Sequence, residues 1–221
     1  LWAVLQPVLT TAIFTILFGV FARFDTRDIP YPLFALSGLM IWLFVHNSIS
    51  MASTSFVNNT SLVTKVYFPR LVVPIAASLA GLFDLLFSIA ILAALMAYYG
   101  ALPGVEALLA PVFLFLAVVQ AVSLGTLFSA LNVRFRDVKF ALPFLLQVWM
   151  IASPVFYPST ILPEKWRLVF ALNPLTGIVE GFRSSLFGTP FDWPAILVSL
   201  ASLAAIAVGS LLIFKRMEDE F

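Results

Sequence analysis

The sequence predicts an all-α polytopic membrane protein: six transmembrane helices, with a broken helical hairpin between the fifth and sixth. Three observations predict it. The chain is 62% hydrophobic and only 10% charged. Its apolar residues come in long runs and not in alternating stripes; in the run 71–97, Asp84 is the only ionisable side chain. A helix rises about 1.5 Å per residue, so roughly 20 apolar residues cross a ~30 Å hydrocarbon core. The third observation is the density of proline and glycine in 153–194, where a full-length span cannot form.

The first span is expected at 1–21, stopped by Arg23, Asp25, Arg27 and Asp28 and by Pro30 and Pro32. It has no charged leading region and no small-residue cleavage site, so it reads as a span and not a signal peptide. The chain opens inside this apolar run without Met, and a preceding N-terminal segment is expected. The second span, 33–57, has an unusually polar later half: His46, Asn47, Ser48, Ser50, Ser53, Thr54 and Ser55. The third, 71–98, is closed by Gly100, Pro103 and Gly104. The fourth, 108–131, ends at a basic stretch containing Arg134, Arg136 and Asp137. The fifth, 138–156, is stopped by Ser153-Pro154 and Tyr157-Pro158. The sixth, 194–214, is followed by Lys215 and Arg216.

Between the last two spans the punctuation allows two short helices. One is expected at 163–172, with Pro163 at its start. The other takes Asn173 as N-cap and Pro174 as its first residue, and ends near Gly188. Such a pair either re-enters the membrane under cover of protein or water, or lies on the membrane surface as a structured loop.

Six spans place both termini on one side. The loops on that side carry Lys65, Arg70, Arg134, Arg136, Lys139, Lys215 and Arg216; the other side carries Arg23, Arg27, Lys165, Arg167 and Arg183. The excess of basic residues predicts cytoplasmic termini. A single membrane domain, 1–221, accounts for the length. The net charge of +1 gives no argument for nucleic acid, and with no cysteine there is neither a disulfide framework nor thiol chemistry.

Several motifs in order carry a family resemblance. They are Asn58-Asn59-Thr60-Ser61-Leu62-Val63-Thr64-Lys65-Val66-Tyr67-Phe68-Pro69-Arg70 followed by Leu71-Val72-Val73-Pro74, then Leu131-Asn132-Val133-Arg134-Phe135-Arg136-Asp137-Val138, then Ser153-Pro154-Val155-Phe156-Tyr157-Pro158, then Leu172-Asn173-Pro174-Leu175 with Gly181-Phe182-Arg183. Each is short, but their order across the whole chain resembles the membrane subunit of type-2 ABC exporters. The specific likeness is to the polysaccharide and polyol-phosphate export permeases (O-antigen, capsule, teichoic acid). The resemblance implies a transport subunit and not an enzyme, in the bacterial cytoplasmic (inner) membrane. Two copies would form a conduit for a lipid-linked glycan, driven by two cytoplasmic ATPase subunits. It also implies an amphipathic interface helix before the first span, which this sequence does not contain. GxxxxGK[ST] is absent from the sequence, so no cofactor is expected on this chain; ATP and Mg are expected on the partner ATPase.

The resemblance makes Thr60, Ser61, Leu62, Lys65, Val66, Tyr67, Phe68 and Arg70 an ATPase-coupling loop. Asn59 or Thr60 can cap a short helix there, and its apolar stripe suits a groove on a partner; the same stripe also suits lipid headgroups. Arg134, Arg136 and Asp137 form a second cytoplasmic loop, either a second ATPase contact or a plain basic anchor. Asn173, Pro174, Glu180 and Arg183 are candidates for an external gate. Glu180 and Arg183 stand three apart and can pair on one helix face, as a gate contact or as a plain stabilising pair. Asp84 is costly in hydrocarbon and must meet protein or water, either at the conduit or at a neighbouring span. His46 has no Cys or second His to suggest a metal. Trp42, Trp149, Tyr157, Trp166 and Trp193 are expected at span ends in interfacial belts, and sugar stacking is the other use open to aromatics. A drug or lipid exporter of the same architecture is the alternative. A secondary transporter would show paired broken helices in both halves, and here one half alone has them. No His, Asp or Glu spacing suggests a membrane-embedded enzyme.

Overall fold

The computed structural model describes residues 2–21, 26, 29–59, 69–135, 137–161 and 163–218, apart from the side chains of 2–4, 20, 21 and 164. Every element among them is helical. Residues 60–68 of the expected coupling loop, and Arg136, lie outside the described residues.

Helix α1 (Trp2–Phe14) contains Pro7 and continues as a π-helical turn, Thr15–Phe21. Helix α2 (Tyr31–Ser53) starts at Pro30 with Pro32 in its first turn, where a missing N–H costs nothing. A break at Thr54 separates it from the short α3 (Ser55–Asn58). The third expected span is kinked, as α4 (Val72–Leu79) and α5 (Leu82–Tyr99). The kink lies where Gly81 passes α2, so that a Cβ there would stand 3.3 Å from Ser48 Oγ. Gly100, at φ 68°, ends α5 in the left-handed conformation that glycine adopts freely. A 3₁₀ turn (Val105–Leu109) leads into α6 (Ala110–Arg134). Then follow α7 (Val138–Ile151), α8 (Glu164–Phe170), α9 (Pro174–Phe187) and α10 (Trp193–Met217).

Among the described residues, four segments are long and apolar enough to cross a membrane: Tyr31–Ser53, Val72–Tyr99, Val105–Arg134 and Trp193–Met217. Leu5–Gly19 and Val138–Ile151 are apolar but shorter. The fifth expected span is therefore corrected. It stops at Ile151 and not at 156, and its 14 residues reach about 21 Å. The physical reason is Pro154, which has no N–H to continue the helix ladder; the turn that follows is held by a side chain from α9, as shown below.

Helix α2 is the centre of the molecule. Of its apolar window 78% is buried, against 22–33% for the other three long segments. It packs on α1, α4, α5, α6, α7 and α9. This accounts for its polar later half. Ser48, Ser53 and Ser55 are buried, and Ser50 and Ser53 return their hydroxyls to carbonyls of their own helix. Small residues let the backbones approach: a Cβ on Gly125 of α6 would lie 2.6 Å from Ser78 Oγ and 2.8 Å from Ala52 Cβ. The outward faces are apolar, as with Phe83, Leu86 and Phe87 on α5, Phe140 and Phe144 on α7, and Leu197 and Leu211 on α10. Trp42 corrects the expected aromatic belt. It sits in mid-helix, 3% exposed, edge-on to Trp149 at 5.6 Å.

The bundle has two unlike ends. One gathers Asn58, Arg70, Arg134, Lys139, Lys215 and Arg216 near helix termini. There Phe56 stacks on Phe214 at 6.0 Å, and Asn132 Nδ2 donates to Ser53 O at 2.8 Å. The other end gathers the start of α2, the turn after α7, and the α8–α9 hairpin.

Candidate functional site

The α8–α9 hairpin follows its sequence signals closely. Asn173 caps α9 by accepting from Leu175 N at 3.2 Å, and Gly188 ends it at φ 65°. Asn173 does more than cap. Its Oδ1 also accepts from Trp149 Nε1 at 2.9 Å, and its Nδ2 donates to Ala152 O and Ser153 Oγ at 3.1 and 2.8 Å. All four hydrogen-bonding positions of the amide are used, which ties the hairpin to the end of α7. Two serines of α10 hold the turn between the short helices. Ser199 Oγ donates to Ala171 O at 2.8 Å and accepts from Gly177 N at 3.0 Å, while Ser202 Oγ donates to Leu172 O at 2.6 Å.

Arg183 projects from the middle of α9 into the core and is 4% exposed. Its Nη1 donates to Pro154 O at 2.6 Å. Its Nη2 donates to Val155 O at 2.5 Å and Phe34 O at 2.9 Å, and its Nε to Ser37 Oγ at 3.3 Å. The guanidinium also lies over the Phe34 ring, 3.6 Å from its centroid. One side chain thus joins α9, the start of α2 and the turn that cuts α7 short. Gly38 makes room for it: a Cβ there would run into Val155 O and Arg183 Nη2. Tyr31 adds a parallel tie, its hydroxyl donating to Phe156 O at 2.7 Å. Tyr157 donates to Ile151 O at 2.8 Å, and burial raises its phenol above the ordinary tyrosine value, so it keeps that proton at neutral pH.

Glu180 and Arg183 do not form the direct pair that their spacing allows. Arg183 is engaged by carbonyls, and Glu180 Oε1 accepts from Ser159 N at 3.0 Å. Helical spacing fixes which face residues share; it does not fix which partners compete for them. Both side chains border a cavity of about 460 Å³ at this end, closed by the 158–160 and 189–192 loops and by Arg167 of α8.

The remaining sequence candidates lie elsewhere. Arg70, at the opposite end, donates to the Glu218 carbonyl, tying the start of α4 to the end of α10. Arg134 lies over the Phe135 ring at 5.5 Å, and Asp137 stands at the N-cap of α7 without a side-chain cap bond. The structure does not bring these residues to the hairpin. Asp84 is exposed on α5 and borders a small cleft of about 40 Å³ with Gln6, Asn47 and Ser88. Ser88 donates to the Asp84 main-chain carbonyl and not to its carboxylate. His46 Nδ1 lies 3.2 Å from Asn47 Oδ1 and its ring packs near Trp42.

Sequence reasoning missed the partners that fix the hairpin: Ser37 and Gly38 on α2, Trp149 on α7, Ser199 and Ser202 on α10. Ser199 and Ser202 carry a local signal, since residues three apart share a helix face. The others are joined to the hairpin only by tertiary packing.

Comparison with known proteins follows this architecture. The family model described as ABC-2 type transporter matches residues 1–187. The O-antigen export system permease protein RfbA of Myxococcus xanthus is 29% identical over all of this chain and 85% of its own length. The protein of that name from Klebsiella pneumoniae is 24% identical over the same shares. The polysialic acid transport protein KpsM of Escherichia coli is 27% identical over 84% of this chain and 72% of its own. With the family model covering most of its length, the chain belongs to the ABC-2 type transporter family.

Proposed function

We propose that this chain is the permease subunit of an ATP-driven exporter that moves a lipid-linked polysaccharide across the bacterial inner membrane. The observation that carries the reading is the likeness, along the whole chain, to permeases named for O-antigen export. The apolar outward faces of the long helices fit a lipid environment. In this reading α1 and α7 complete six spans, α7 by continuing into the 152–156 turn under cover of the hairpin, and both termini are cytoplasmic. The end bearing Arg70, Arg134, Lys139, Lys215 and Arg216 is then the cytoplasmic one, which agrees with the distribution of basic residues. Two copies form the conduit. Two ATPase subunits bind ATP and Mg and act on the permease through 60–68 and the 134–137 loop.

The hairpin end faces outward and forms or flanks the external gate, re-entering the membrane where the rest of the protein covers it. The buried character of α9 supports this: most of its side chains are enclosed by α2, α6 and α10. Deleting the gene and restoring it on a plasmid tests the function. Surface polysaccharide should vanish and its lipid-linked form accumulate inside, then recover. Undiminished surface polysaccharide in the deletion strain would refute the reading.

A further inference from the structure

The cavity at the hairpin end has a definite chemical character. Its volume of about 460 Å³ falls among ordinary small-ligand pockets. Two carboxylates border it, each fixed through one oxygen only. Glu180 Oε1 holds Ser159 N, and Asp192 Oδ1 holds Ala195 N at 3.2 Å. The second oxygen of each has no partner among the described residues, so it is an acceptor held in place in advance. On the donor side, Arg167 Nε is buried and has no hydrogen-bond partner among them. Thr160 stands at the border without a part in the recognition, and Phe191 adds an apolar wall. That ring belongs to a stack with Phe113 and Trp193, at 6.3 and 5.1 Å between centroids.

This combination selects a ligand. Two carboxylates repel a phosphate or diphosphate. Two guanidiniums, those of Arg167 and Arg183, repel a cation. A neutral polyhydroxylated ring suits all of it: hydroxyls donate to the free carboxylate oxygens and accept from Arg167, while its C–H groups meet the apolar edge of Phe191. We propose that the cavity is a saccharide-binding subsite, within each copy, that holds a sugar unit of the exported polymer. The inference rests on the polysaccharide-export reading and adds to it where on the chain a sugar is held.

The chain has no cysteine, so Thr160→Cys places a single thiol at the cavity. The full chain bearing it is reconstituted in proteoliposomes and treated with an impermeant maleimide. The probe is the surface polysaccharide of the producing cells, released by mild acid and cut to short oligosaccharides. Protection rises with occupancy as one plus the ratio of concentration to half-protecting concentration, so labelling slows about tenfold at ten times that value. A thiol at Trp166, exposed on α8, labels at an unchanged rate. Combining Thr160→Cys with Glu180→Gln and Asp192→Asn keeps size and capping. It should raise the half-protecting concentration at least tenfold while unliganded labelling stays the same.

Failure of the oligosaccharide to slow labelling of the parent Thr160→Cys protein overturns the inference, whatever the carboxamide variant does. Protection by inorganic pyrophosphate in its place also overturns it, in favour of an anion site. Either result leaves the export reading standing if cells carrying Thr160→Cys still display the polysaccharide. If the deletion strain displays it too, the export reading falls and takes the inference with it.

Discussion

Replacing Arg183 with Met should loosen the hairpin end by an amount the structure allows one to work out. Methionine keeps a long apolar stem but removes every donor. Phe34 O still accepts from Ser37 Oγ at 2.8 Å. Pro154 O and Val155 O lose the guanidinium N–H groups that reach them, in residues that are themselves buried. A buried carbonyl left bare costs about 1–3 kcal/mol, so two cost about 2–6. The guanidinium's own desolvation is no longer incurred, which returns part of this, and a net loss of about 3 kcal/mol is expected. For a chain of this size that is about 6–12 °C in melting temperature. The assay is a melt of the purified permease in detergent, followed by loss of the monodisperse chromatographic peak. Arg183→Lys supplies a point charge without the planar fork and should restore half of the loss or less. The exposed Arg216→Met serves as control and should stay within about 0.5 kcal/mol. If Arg183→Met melts within about 2 °C of the parent, the four-bond knot is not what holds the hairpin.

Other expectations rest on separate contacts. Asn173→Ala removes a cap and strands Trp149 Nε1, and should cost about 2 kcal/mol in the same melt. Gly181→Ala drives a Cβ into the Phe113 ring and should destabilise by about 1–3 kcal/mol, relieved in part by Phe113→Leu. Tyr67→Ser with Phe68→Ser should leave the melt unchanged yet weaken ATPase binding or uncouple hydrolysis from export; normal export would make 60–68 a membrane-surface segment only. Single cysteines at Leu172, Glu180 and Leu186, which are not buried, should react from outside with an impermeant reagent, in a pattern that changes with ATP. Labelling from the cytoplasmic side alone would invert the proposed topology, and labelling from outside that ignores ATP would make the hairpin a static cap.

The long helices and the hairpin were legible because their signals are local. Run length marks a span, and Asn173-Pro174 with Gly188 marks both ends of α9 whatever surrounds it. The end of α7 carries a local mark in Pro154, which has no N–H to carry the helix ladder on. The fold of the turn after it was not legible: Arg183, nearly thirty residues on, takes the Pro154 and Val155 carbonyls. The same bonds separated Glu180 from Arg183. Trp42 was misplaced because aromatic belts are inferred from position along a span, whereas α2 is enclosed on most sides and has no lipid-facing belt at its centre. For Asp84, sequence required protein or water beside it, and the structure places it exposed at a cleft that Gln6 of α1 and Asn47 of α2 also border, neighbours its own span does not disclose.

The hairpin's bonds constrain how any gate built on it can move. Arg183 joins α9 to α2 and to the 154–155 turn, Asn173 joins it to α7, and Ser199 and Ser202 join its turn to α10. Tilting α9 alone would bare Pro154 O, Val155 O and Ala171 O together. At about 1–3 kcal/mol for each buried group, that is a large fraction of the 5–15 kcal/mol that holds a domain folded. A movement that carries α9, the 153–156 turn and the start of α2 as one body breaks none of the Arg183 bonds. The less enclosed α8, with Trp166, Leu168 and Val169 exposed, is tied to α9 by the Thr176 hydroxyl on Phe170 O, and its separate movement bares fewer buried groups than a tilt of α9. A disulfide between α9 and the start of α2 should therefore leave export intact, whereas one between α8 and a neighbouring copy should block it. Loss of export in the first case would mean that α9 itself swings, and that the Arg183 bonds are broken and remade in every cycle.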